Sequence, residues 1–240
     1  LPFIVTNVGK KDGKEYAPRL FDLTSLQVEC NKKFAYSADE TLKLIQSLYE
    51  KKVATYPRVD TTFLSDDIYP KCPGILKGLR DYEVLTAPLA GASLPKSKKV
   101  FDNSKVTDHH AIIPTLEAAG INLEALPTGE RSILSLVAAR LLCAVCPEKY
   151  IYAQTEVTCI CAGAEFTAKG HTELAAGWKG MERAFQAAVK SRPEGEKTQA
   201  HLPELHEGQP AMVKEAALHE GATSPPPRYT EDSLLSAMEN

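Results

Sequence analysis

Residues 37–58 read SADETLKLIQSLYEKKVATYPR, a helix with a marked start and a marked stop. Ser37 is a natural N-cap, and Glu40 three residues later completes the pattern of a capping box. Ala38, Thr41, Leu42, Ile45, Leu48 and Tyr49 recur at helical spacing and define one buried face. Lys51 and Lys52 place cations at the negative end of the helix dipole, where the helix is expected to stop. Pro57 then disfavours helical geometry at Tyr56 and predicts extended backbone there.

Strands are expected on either side of this helical block. Residues 3–8 and 20–30 read as strands, the second on a partial two-residue period, with an exposed turn at Lys10–Lys14 around Gly13. Short elements and loops fill 65–125, and a second long helix runs from about Thr128 to Val145, with Pro147 beyond it. Ile151–Cys161 alternates and, with Gly163 at a turn and 165–169 beyond, predicts a β-hairpin. Residues 189–198 read as a polar loop, 211–218 as a strand, and Tyr229-Thr230-Glu231-Asp232 opens a last helix after three prolines. The fold class is α+β: a β-rich domain interrupted by an inserted, mainly helical one. The expected bounds are 1–36 and 150–225 for the β-rich domain and 37–149 for the helical insertion. Residues 226–240 begin a further helical domain, cut short.

Composition narrows the function. With 43% hydrophobic and 25% charged residues, the chain is globular rather than disordered. It has neither a run of about 18 apolar residues nor a leader-like start, so no membrane partner is expected. The missing initiator Met suggests a piece of a longer chain. The net charge of −3 does not mark a general nucleic-acid binder. It is unevenly divided: 17 Lys+Arg against 14 Asp+Glu over residues 1–110, but 11 against 17 over 111–240, so a polyanion is expected at the first half. The six cysteines, including Cys143-x-x-Cys146, are expected as free thiols in packing roles.

Three motifs could carry chemistry. In Tyr56-Pro57-Arg58, a guanidinium beside a phenol stabilises both the phenolate and a phosphodiester oxygen. His109-His110 could hold an anion or move a proton, though a lone loop histidine is more often simply solvated. Arg228-Tyr229-Thr230-Glu231 sets a cation before a capped helix start, a place for a phosphate, or else an ordinary N-cap. Gly-rich phosphate loops and Asp-x-Asp metal pairs are absent from the sequence.

Taken in order, LFDLTSLQ (20–27), Tyr36-Ser37-Ala38, QSLYE (46–50), Thr55-Tyr56-Pro57-Arg58 with Asp60, HHAIIPT (109–115) and PRYTE (227–231) resemble the type IA DNA topoisomerases, most closely the topoisomerase III branch. The resemblance implies that Tyr56 attacks a single-stranded DNA phosphodiester and keeps the 5′ phosphate. It implies that Arg58 meets the scissile phosphate, and that His109, Arg228 and Thr230 lie along the DNA. It implies magnesium in the full-length enzyme, with ligands outside this segment, and a monomeric, cytoplasmic, DNA-associated protein. The family's arch corresponds to the β-rich domain. Asp108 stands where the family often has Ala, and Val59 where it often has Ser or Thr. The alternatives are a single-stranded-DNA-binding module of the same fold without catalysis, and an unrelated hydrolase using His109 or His110.

Overall fold

The computed structural model describes residues 2–79, 93–188 and 202–239, apart from 214, 216 and 219. Two compact units emerge, one of Leu1–Glu15, Tyr150–Ala176 and Gly195–Arg228, the other of Tyr16–Lys149, Gly177–Glu194 and Tyr229–Asn240. Helix and strand are mixed, and the sheet is antiparallel.

The first unit is built on β1 (Pro2–Glu15), β2 (Tyr150–Cys161), β3 (Ala164–Ala175) and the short β4 (Pro210–Met212), in the order β3-β2-β1-β4. β2 and β3 form the expected hairpin. Its two turn residues, Ala162 and Gly163, both have positive φ (51° and 81°), the geometry that matches the twist of flanking strands. The turn expected around Gly13 does not form. β1 runs straight through it, and Gly13 pairs with Tyr152. A Cβ on Gly13 would stand 2.3 Å from the Tyr152 ring, so the glycine admits the ring rather than bending the chain. The strand expected over 211–218 is confined to β4 among the described residues, and the loop at 189–198 lies outside them.

The second unit packs α1 (Leu23–Phe34), α2 (Ala38–Glu50), α3 (Cys72–Gly78), α4 (Thr128–Ala144), α5 (Gly177–Ala188) and α6 (Glu231–Glu239). The strand expected over 20–30 is corrected here, because those residues lead into and form α1. Asp22 caps it by accepting from the Ser25 N–H at 2.8 Å, and the Asp22 N–H donates to Ser25 Oγ at 3.1 Å. This reciprocal pair satisfies N–H groups that a helix start leaves orphaned. The unit boundary accordingly falls between Glu15 and Tyr16, ahead of the crossing expected near 36. α2 begins as read, with the Ser37 side chain accepting from the Glu40 N–H. α4 buries eleven of its seventeen residues and packs against α2 and α5. α5 presents Trp178, Met181 and Phe185 to the core at helical spacing. α6 packs on α1, and its Glu231 accepts from the Ala38 N–H at 2.7 Å.

Candidate active site

Tyr56 is positioned by the residues on either side of it. α2 stops at Glu50, Lys52 turns the chain with a φ of 63°, and 53–55 run extended beside 111–115. Thr55 is anchored three times. Its N–H donates to Ile113 O (3.0 Å), its Oγ1 accepts from the Ile113 N–H (3.0 Å), and the same hydroxyl donates to Ala111 O (3.3 Å). Beyond Tyr56, Val59 is buried, and its carbonyl accepts from the Leu23 N–H at 3.1 Å. Only 56–58 lie between these two clamps.

The Tyr56 ring is half-buried. It meets Tyr49 edge-on, with centroids 5.5 Å apart, and lies against His109 at 4.5 Å. Arg58 is exposed, and its Nη1 donates to Gln46 Oε1 at 2.8 Å. Gln46 in turn donates to Glu50 Oε1 one helical turn on, at 3.2 Å, so α2 aims the guanidinium. His109 precedes a buried run: the Ala111 N–H donates to Phe63 O at 2.9 Å, and His110 Nδ1 lies 2.8 Å from Ala111 O. Burial holds the pKa of His110 below the ordinary histidine range.

Two cavities meet at this point. One, of about 350 Å³, is lined by Thr55, Tyr56, Asn103, His109 and His110 among others. The second, of about 530 Å³, is lined by Arg58, Asp22, Asp60 and their neighbours. Thr107, Asp108 and His109 line both, so this loop is the wall between phenol and guanidinium. Tyr56, Arg58 and His109 are therefore brought together from positions fifty residues apart. Thr230 lines neither cavity. It caps α6, its N–H donating to Ser233 Oγ at 2.8 Å, while Arg228 is exposed in the sheet unit. Gln46, Tyr49 and Thr55 complete the site. They lie ten, seven and one residues before Tyr56, within stretches read for the helix and for the resemblance, without a role of their own.

Among the described residues, no group of three or more His, Cys, Asp or Glu could hold a metal ion. Among the same residues, no helix is long and apolar enough to cross a membrane.

A DNA topoisomerase family model matches residues 2–240. DNA topoisomerase 3 of Bacillus licheniformis is 40% identical over the whole of this chain, and that of Bacillus subtilis 38% over 99% of it; in both cases the chain spans 32% of the relative. Full-length topoisomerase I from Thermotoga maritima shares the fold, with a TM-score of 0.66 at 22% identity over 99% of this chain and 37% of its own. The chain belongs to the DNA topoisomerase family, as a type IA member of the topoisomerase III branch. It spans about a third of the length of these topoisomerase 3 relatives.

Proposed function

We propose that Tyr56 is the nucleophile of a reaction that cuts and rejoins single-stranded DNA. The phenol gives up its proton to solvent as its oxygen bonds to phosphorus, the bond from phosphorus to the 3′ oxygen breaks, and that oxygen takes up a proton from solvent as it leaves. The 5′ phosphate stays on Tyr56, and the reverse attack by the 3′ hydroxyl restores both partners. A free phenol titrates near 10, so it needs neighbouring positive charge to attack at neutral pH. Arg58 supplies that charge and meets the phosphodiester. His109 contacts the DNA beside the phenol, and Arg228 and Thr230 contact it further along. The observation that carries this reading is the clamped Tyr56 ring at a cavity edge, 4.5 Å from the His109 ring.

On the same reading the sheet unit is the arch and the helical unit is the nucleophile domain inserted into it. Strand passage through the arch relaxes or decatenates DNA. The protein acts as a monomer on cytoplasmic DNA. Family membership implies magnesium in the whole enzyme. The test uses a polypeptide of the relatives' full length and single-stranded DNA labelled at its 3′ end, because the captured piece begins at the 5′ phosphate. On a denaturing gel, Tyr56→Phe should abolish the covalent band while DNA binding persists, since only the reacting oxygen is removed. A covalent band from Tyr56→Phe would give the role of nucleophile to another residue.

A further inference from the structure

The helical unit has another cavity, of about 600 Å³, whose walls include Tyr16, Arg19, Phe63, Lys98, Lys99 and Lys149. Tyr16 and Lys149 are the first and last residues of the continuous segment between the sheet strands β1 and β2. Lys99 Nζ lies 3.1 Å from the Tyr16 ring centroid and Lys149 Nζ 5.7 Å from the same ring, while Arg19 lies 5.1 Å over Phe63. The aromatic faces thus gather cations. Among the described residues, none of these four cations has a carboxylate within ion-pair distance. Asp102 and Glu148 also line the cavity; Asp102 accepts from the Ser104 N–H and hydroxyl at 3.0 and 2.7 Å and feels the charge of Lys98, so four cations stand against two carboxylates.

The cleavage site has the opposite balance. The Tyr56 cavity has no lysine or arginine in its walls, and the Arg58 cavity sets one guanidinium against Asp22, Asp60 and Asp108. Affinity for a polyanion therefore has to come from outside the site. Asp102 lines the basic cavity and the next residue, Asn103, lines the Tyr56 cavity, so a single turn of chain separates the two. We infer that the Tyr16–Lys99–Lys149 cavity is a second contact for single-stranded DNA, binding its phosphodiester backbone rather than its bases. The backbone is favoured over the bases because Lys99 already covers one face of the ring on which a base would stack. The inference rests on the single-strand reading proposed above and gives the strand a second anchor.

The test is fluorescence anisotropy of labelled oligothymidylate with the 240-residue chain across a salt series. Lys99→Ala/Lys149→Ala should weaken binding and make the slope of log K against log salt shallower by about 1.4, roughly 0.7 for each phosphate no longer neutralised. Lys43→Ala/Lys77→Ala removes the same charge from other exposed helix positions and should leave the slope unchanged. Equal slope changes in the two variants would overturn the inference, reducing it to net charge. Lysine acetylation read by mass spectrometry separates the possible ligands. Oligothymidylate should protect Lys98, Lys99 and Lys149, and protection by tripolyphosphate alone would overturn the inference in favour of a free-phosphate site. If the chain binds no oligothymidylate, both this inference and the single-strand reading fall. Lysines left unprotected in a chain that still binds oligothymidylate remove this inference alone.

Discussion

Thr55 does for Tyr56 what a backbone alone could not. It fixes the preceding residue with three hydrogen bonds, so the phenol's direction is set before the ring meets Tyr49 or His109. The tyrosine and arginine were legible as a chemical pair from their types and the intervening proline. The wall between them was not, because loop 107–109 is remote in sequence and carries no periodic pattern. His110 faces inward beside this wall, and burial lowers its pKa in the folded state below the ordinary histidine value of 6.5. The unfolded chain therefore takes up the proton first as pH falls. The stability tied to neutral His110 is complete above about 6.5 and is lost below it, toward the lower folded value. Urea midpoints at pH 7.5 and 5.5 should show that loss, and His110→Asn should flatten it, at most by about 1.4 kcal/mol per pH unit for one proton. An identical pH response in the variant would assign the loss to other groups.

Helix α1 shows where reading by pattern gives way to capping chemistry. Leu20, Phe21, Leu23 and Leu26 mimic a strand over a short window, yet Leu26 and Cys30 are fully buried while Val28 midway between them is only half-buried, a pattern of a helix rather than of a strand. Asp22 and Ser25 were the decisive residues, and they speak through side-chain-to-backbone bonds rather than hydrophobicity. α2 was legible because its stripe is longer and its cap stands just before it. α5 follows the hairpin directly in the chain and buries Trp178, Met181 and Phe185. Gly13 misled in the opposite direction, since what it accommodates is the Tyr152 ring on another strand. Replacing Asp22 by Ala should cost about 1 kcal/mol, up to about 2 for a well-formed cap, read as a fall in the urea midpoint at constant slope. An unchanged midpoint would show that packing of Leu26 and Cys30 holds the helix without its cap.

At the scale of the whole chain, β1 pairs with β2 only after residues 16–149 have intervened, so the sheet unit depends on distant pairing. The helical unit also closes over a long span, with Glu231 of α6 accepting from the Ala38 N–H, and its buried thiols report on its integrity. Cys30 and Cys143 are pushed up by burial to about 12 and Cys72 to about 11, while Cys159 and Cys161 are half-buried on the sheet. Alkylation proceeds through the thiolate, and at pH 8 a thiol at about 12 is ionised in roughly one molecule in 10⁴. Iodoacetamide at pH 8 should therefore modify Cys159 and Cys161 in the native chain and leave Cys30, Cys72 and Cys143 unmodified. Under increasing urea, the three protected thiols should become reactive at one common midpoint, because they lie in a single packed unit. Peptide mass spectrometry after brief labelling resolves each site. Exposure of Cys72 well before Cys30 and Cys143 would show that α3 opens as a separate cooperative piece. The residues around Tyr56 would then rest on a frame without α3.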